Sequence, residues 1–143
     1  MLKIKQLLEK KGSNAVTIAE SASVMAAIHT MHQHGVGSVI IPSASGEPIG
    51  ILTERDIIRL YAEGRIAFDT LLVKDCMTTG LILAKPDDEV TEVLTVMTQR
   101  RFRHMPVVQE DQIIGVISIG DLVKAQLEET AEEARALRDY INS

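Results

Sequence analysis

Gly50-Ile51-Leu52-Thr53-Glu54-Arg55-Asp56-Ile57-Ile58-Arg59 returns 65 positions later as Gly115-Val116-Ile117-Ser118-Ile119-Gly120-Asp121-Leu122-Val123-Lys124. The glycine, the hydroxyl residue, the aspartate and the flanking apolar positions keep register. Upstream, Val24, Met31 and Val39 correspond to Val90, Met97 and Met105 at a displacement of 66, so the second copy loses one residue between its last two strands. A fixed internal period means one supersecondary unit used twice.

In the first unit, Val16-Thr17-Ile18 reads as a short strand, and the hydroxyls of Glu20-Ser21-Ala22-Ser23 cap a helix starting at Ser23 or Val24. Val24, Ala27, Ile28 and Met31 fall at helical spacing, and Gly35 and Gly37 end that helix. Val39-Ile40-Ile41 is a continuous apolar strand, residues 42–48 turn, residues 49–52 form another strand, and Thr53 opens a helix with Asp56 in its first turn. The second unit repeats this with Leu81-Ile82-Leu83, a helix start at Pro86-Asp87-Asp88, strands over residues 105–108 and 113–117, and a helix from Ser118. The order is β-α-β-β-α, twice, an α/β chain of the α+β kind. Residues 1–68 hold an N-terminal helix, over about residues 2–11 and ended by Gly12, with the first repeat. Residues 69–143 hold the second repeat and an extended last helix, and residues 61–77 read as a linker.

That last helix carries Val123, Leu127, Thr130, Ala134, Leu137 and Ile141 at alternating spacings of four and three, an apolar seam. Glu128, Glu129, Glu132, Glu133, Arg135 and Arg138 take its other faces. The seam packs either on the chain's own N-terminal helix or on a second copy, and its continuation past the repeat favours a homodimer.

The bulk properties narrow the function. At 143 residues the chain builds one module of ordinary soluble composition, 45% hydrophobic and 24% charged. With 3% aromatics, no Trp and a net charge of −5, it offers neither the stacking platforms nor the basic face that nucleic acids require. No run of about 20 apolar residues is present, and Met1-Leu2-Lys3-Ile4-Lys5 does not open a signal peptide, so a cytoplasmic protein without membrane association is expected. A single cysteine, Cys76, excludes an internal disulfide and a thiolate metal cluster.

The repeated motif places a hydroxyl and, three residues later, an aspartate at the start of a helix. Unpaired amides of a first helical turn, with that hydroxyl, can hold a phosphate. An aspartate one turn on can accept hydrogen bonds from ribose hydroxyls. A capping box has the same spacing, and for one copy alone it is the better account. Two copies in the same frame favour the ligand reading.

Gly50-Ile51-Leu52-Thr53-Glu54-Arg55-Asp56, its partner Gly115-Val116-Ile117-Ser118-Ile119-Gly120-Asp121, and Arg103-His104-Met105-Pro106-Val107-Val108 resemble the motifs of CBS domains, and the likeness runs from Asn14 to Lys124. The resemblance implies two units about a pseudo-twofold axis. It also implies two composite clefts taking AMP, ADP, ATP or NAD(H), with the aspartate of one unit facing the first two strands of the other. Carried over by position, the first cleft uses Asp56 for ribose, Thr53 and Arg55 for phosphate, Gly80, Leu81, Ile82 and Met105 around adenine, and Arg103 and His104 near phosphate. The second uses Asp121 and Ser118, with Asn14, Ala15 and Val16 before one strand and Gly37, Ser38 and Val39 at the next. Gly120 stands where the first copy has Arg55, and Gly37-Ser38 stand where it has Arg103-His104, so the cleft of Asp56 is expected to take the more highly charged ligand.

His29 and His32 lie a helical turn apart with His34 beyond, but no acid or thiol completes a metal set, and they read as a polar helix face. Asp87-Asp88-Glu89 reads as an acidic first turn. No catalytic motif is present, so no enzyme, catalytic cofactor or metal is expected. The expected role is sensing an adenine nucleotide on behalf of an unidentified regulated protein. The rivals are a ligand-free dimerisation scaffold and a small His-based metal protein.

Overall fold

A computed structural model describes residues 1–13 and 15–143, so the part expected of Asn14 lies outside the described residues. Helix α1 spans Ile4–Lys11 and stops at Gly12, whose φ of 85° a glycine adopts without strain. Helix α2 spans Val24–His34. The Ser23 hydroxyl accepts from the Ala26 amide at 3.0 Å, and Gly35 closes the helix in the left-handed conformation. Strands β1 (Ser38–Pro42) and β2 (Pro48–Thr53) form an antiparallel hairpin with Ser38 opposite Thr53, and α3 (Glu54–Ala62) follows directly. The second copy supplies α5 (Val90–Arg100), β3 (His104–Gln109), β4 (Gln112–Ser118) and α6 (Ile119–Asn142), with His104 opposite Ser118.

Three local expectations need correction. The first strand of each unit shrinks to a single parallel bridge, Thr17 to Ile40 and Ala84 to Val107; the second falls at Ala84 rather than within Leu81-Ile82-Leu83. Helix α5 begins at Val90, because the Asp88 carboxylate accepts from the Lys85 amide at 2.8 Å and makes residues 85–88 a turn. Between the repeats, Val73–Cys76 forms one more helical turn, α4, in the segment read as linker.

Burial explains why two copies make one body. In the first repeat, α2 and α3 lay Val24, Ala27, Met31 and Leu60 onto Val39, Ile41 and Leu52, with Val73 and Cys76 of α4 closing the cluster. In the second, α5 and α6 lay Val90, Met97 and Leu122 onto Met105, Val107 and Ile117. The helix that completes this second core is α1, through Ile4 and Leu7. Each fully buried side chain of this kind contributes about 1.5–3 kcal/mol. Backbone bonds hold α1 there: Ile4 N–H to Asp88 O at 2.9 Å and Val90 N–H to Leu2 O at 3.0 Å.

The segments leading into the two repeats also cross over. Thr78 exchanges two backbone hydrogen bonds with Ile51, at 2.9 and 3.0 Å, and Ser13 O accepts from Val116 N–H at 3.1 Å. Ile40, Ile51 and Val116, with Ala15, Leu81 and Ile113, form the apolar joint between the repeats. The hairpin end of each repeat therefore meets the lead-in of the other.

Beyond Thr130, every residue of α6 is exposed, so the seam is not covered by α1. Leu127, Leu137 and Ile141 are 66%, 60% and 70% exposed. No helix is long and apolar enough to cross a membrane among the described residues.

Candidate functional site

Where β2 runs into α3, Thr53 and Asp56 cap each other. The Asp56 carboxylate Oδ2 accepts from the Thr53 amide at 2.9 Å and hydroxyl at 3.1 Å, and the Thr53 hydroxyl accepts from the Asp56 amide at 3.3 Å. Its other oxygen, Oδ1, faces Arg59 at 3.3 Å. The same box recurs at Ser118 and Asp121. The Glu54 amide donates to Gly37 O at 3.0 Å and the Ile119 amide to Arg103 O at 2.9 Å. Two first-turn amides at each helix are thus already engaged. An anion in either cleft must find its charge partner among side chains.

Beside Asp56 opens a cleft of about 490 Å³, within the size range of small-molecule sites. Thr53, Arg55 and Asp56 of the first repeat meet Gly80, Leu81, Ile82, Arg103 and His104 of the second repeat and its lead-in across it. Its lining is apolar at Ile51, Leu81, Ile82, Phe102 and Pro106, cationic at Arg55, Arg100, Arg101 and Arg103, and acidic at Glu54 besides Asp56. None of these four arginines makes an ion pair among the described residues. Arg55 donates to Arg101 O at 3.4 Å and so spans the two repeats. Arg101 adopts φ 60° at the end of α5, which turns the chain sharply and brings Arg103 back to the cleft. Burial holds the His104 imidazole below its ordinary pKa; Glu54 opposes the shift and Arg103 adds to it.

Met105 does not wall the cleft. Side chains alternate along a strand, and with His104 and Pro106 turned to the cleft, Met105 enters the second core at 2% exposure. Val39, its counterpart, is likewise in the first core. Arg100, Phe102, Thr78 and Pro106 were missed by sequence reasoning. Arg100 was visible as the first basic residue of Arg100-Arg101-Phe102-Arg103-His104, and Phe102 as one of only two phenylalanines.

Around Asp121 the arrangement differs. Ser38 is buried, Ala15 sits in the joint between repeats, and Val16 packs on the first core. The Glu54 carboxylate lies against Gly37 on the side where any other residue would carry Cβ. The Lys11 ammonium donates to Asp121 Oδ2 at 2.5 Å and to Val116 O at 2.9 Å. Burial alone would raise the Asp121 carboxyl, but hydrogen bonds from Lys11 and Ser118 outweigh it and hold the pKa below its ordinary value.

The family model described as "CBS domain" matches residues 5–63 and again residues 73–128. The chain belongs to the CBS-domain family. Among relatives, the CBS domain-containing protein CBSX3, mitochondrial, of Arabidopsis thaliana is 35% identical over 96% of this chain and 71% of its own length. Among solved structures, the CBS-domain containing protein ATU1752 from Agrobacterium tumefaciens is 35% identical with a TM-score of 0.82, over 87% of this chain and 99% of that one. The CBS domain pair of protein MJ0100, in complex with 5′-methylthioadenosine and S-adenosyl-L-methionine, shares the fold at 23% identity and a TM-score of 0.78, over 90% of this chain and 98% of that one. Tandem CBS repeats of this kind are regulatory ligand-binding modules.

Proposed function

We propose that this CBS pair is a non-catalytic cytoplasmic sensor that binds an adenine nucleotide, AMP, ADP, ATP or NAD(H), in the cleft of Asp56. One observation carries the reading: the cleft is lined both by apolar Ile51, Leu81, Ile82 and Phe102 and by four arginines that make no ion pair among the described residues. A purine needs the first and a phosphate chain the second. The two adenosyl compounds in the MJ0100 pair support the purine half. Ribose hydroxyls would bond Asp56 Oδ1, displacing Arg59, while Oδ2 continues to cap α3. Arg55 and Arg103 come from different repeats, so a phosphate between them draws the repeats together. That differential contact is what allows a ligand to bias one conformation over another.

Thermal unfolding against AMP, ADP, ATP, NAD and NADH tests this. Ligand at about 100 times Kd should add roughly 2.7 kcal/mol. No shift with any of the five sinks the proposal. The exposed Leu127, Leu137 and Ile141 favour a second reading alongside it, a homodimer joined through α6 that presents the sensor to a regulated protein. Sedimentation at micromolar concentration separates monomer from dimer.

A further inference from the structure

The two clefts differ in what already sits at their aspartates. Asp56 faces Arg59, one turn along its own helix. Asp121 is met by Lys11, 110 residues away, which also bonds Val116 O. The Lys11 side chain keeps only 18% of its exposure, whereas Lys10 is exposed. At the displacement of 66 that relates the segments upstream of the hairpins, the residue matching Lys11 is Met77, so one copy has a cation there and the other an apolar side chain. The strap that carries Lys11 is tightly fitted. A Cβ on Gly115 would stand 2.7 Å from the Leu8 Cδ2 methyl and 3.1 Å from Ser13 O. Glycine at 115 is thus what lets the strap lie flat against β4. An ammonium has three donors, and two of them are satisfied here by protein acceptors.

We propose that Lys11 is a built-in occupant of the second cleft: its ammonium takes the place at Asp121 that sugar hydroxyls require, keeping that cleft closed to nucleosides while α1 is docked. This rests on the nucleotide reading of the first cleft and extends it. The pair then takes one nucleotide per chain, and the second cleft opens only when the strap lifts. The asymmetry between the clefts comes less from missing arginines than from a lysine supplied by the far end of the chain.

Calorimetric titration of the full chain with AMP tests it. Lys11→Met keeps the apolar stem and removes the charge. Wild type should take one AMP per chain, and Asp56→Ala should abolish it. Lys11→Met should take two, the second at least about tenfold tighter than any second event in wild type, and adding Asp121→Ala should remove it. Lys11→Arg should stay at one. Two AMP per wild-type chain, or one per Lys11→Met chain, overturns the proposal. A ligand-free measurement runs beside it: brief acylation of amines, read by mass spectrometry. Lys11 should react several-fold more slowly than Lys10, and Asp121→Asn should bring it to the rate of Lys10. Equal rates in wild type overturn the closed cleft. AMP binding by no variant, with Lys11 still protected, overturns instead the nucleotide reading and the role given to Lys11 with it.

Discussion

Lowering the pH should tighten phosphate binding at the cleft of Asp56, and His104 is the group responsible. Burial holds the ligand-free imidazole below its ordinary pKa, so it is neutral at pH 7. A phosphate in the same cleft favours the charged imidazolium, and binding then takes up a proton. At about 4 Å and an effective dielectric constant near 20, two unit charges attract by about 4 kcal/mol. The cleft opens to solvent, so about 1–2 kcal/mol is the usable part, a factor of roughly 5 to 30 in affinity. The assay is calorimetry with ATP between pH 8 and pH 5.5, in two phosphate-free buffers of different ionisation enthalpy. Wild type should show proton uptake and tighter binding as pH falls. His104→Asn should keep only the part due to the phosphate's own titration. The ligand-free protein should respond in the opposite sense. A depressed native pKa means that stability is full above the unfolded value near 6.5 and is lost as pH falls through the native pKa. Identical proton uptake by wild type and His104→Asn would refute the reasoning.

Met105→Ala should cost about 2–5 kcal/mol in denaturant unfolding with ligand affinity per folded molecule unchanged, because Met105 is core rather than cleft; a weakened nucleotide site in a fully stable protein would contradict its placement. Gly115→Ala should destabilise by about 1–3 kcal/mol, since Cβ meets both Leu8 and the Ser13 carbonyl, and a neutral melting temperature would contradict the fit of the strap. Leu137→Glu should leave the unfolding free energy of the single chain within about 0.5 kcal/mol and abolish self-association in sedimentation, because this residue is 60% exposed in its own chain; a dimer that survives the change excludes the seam as its interface.

The elements that could be read from sequence are those whose signals are local. Ser23, Thr53 and Ser118 announce the helices they cap, and the hairpins follow from apolar runs between glycines and prolines. What escaped depends on distance or on parity. Val16-Thr17-Ile18 looks like a strand, yet the chain is pulled across to the other repeat at Ser13, leaving one bridge. Four-residue α4 is too short to show a period. Asp88 fits a helix start equally well by composition; only its bond to the Lys85 amide decides for a turn. The cleft of Asp56 was legible in Thr53, Arg55, Asp56, Arg103 and His104. Met105 was misplaced because alternation along β3 was not carried through one residue further. Lys11 could not be found, since nothing local ties position 11 to position 121.

The docking of α1 on the second core sets the order in which this protein can finish folding during synthesis. The core that Ile4 and Leu7 join is complete only when Met97, Ile117 and Leu122 have left the ribosome. At 5–20 residues per second, more than a hundred residues take on the order of ten seconds. Through that interval the leading helix is an unpaired apolar strip on a nascent chain, and the first repeat lacks the lead-in that walls its cleft. The second core closes only when the first helix meets the last.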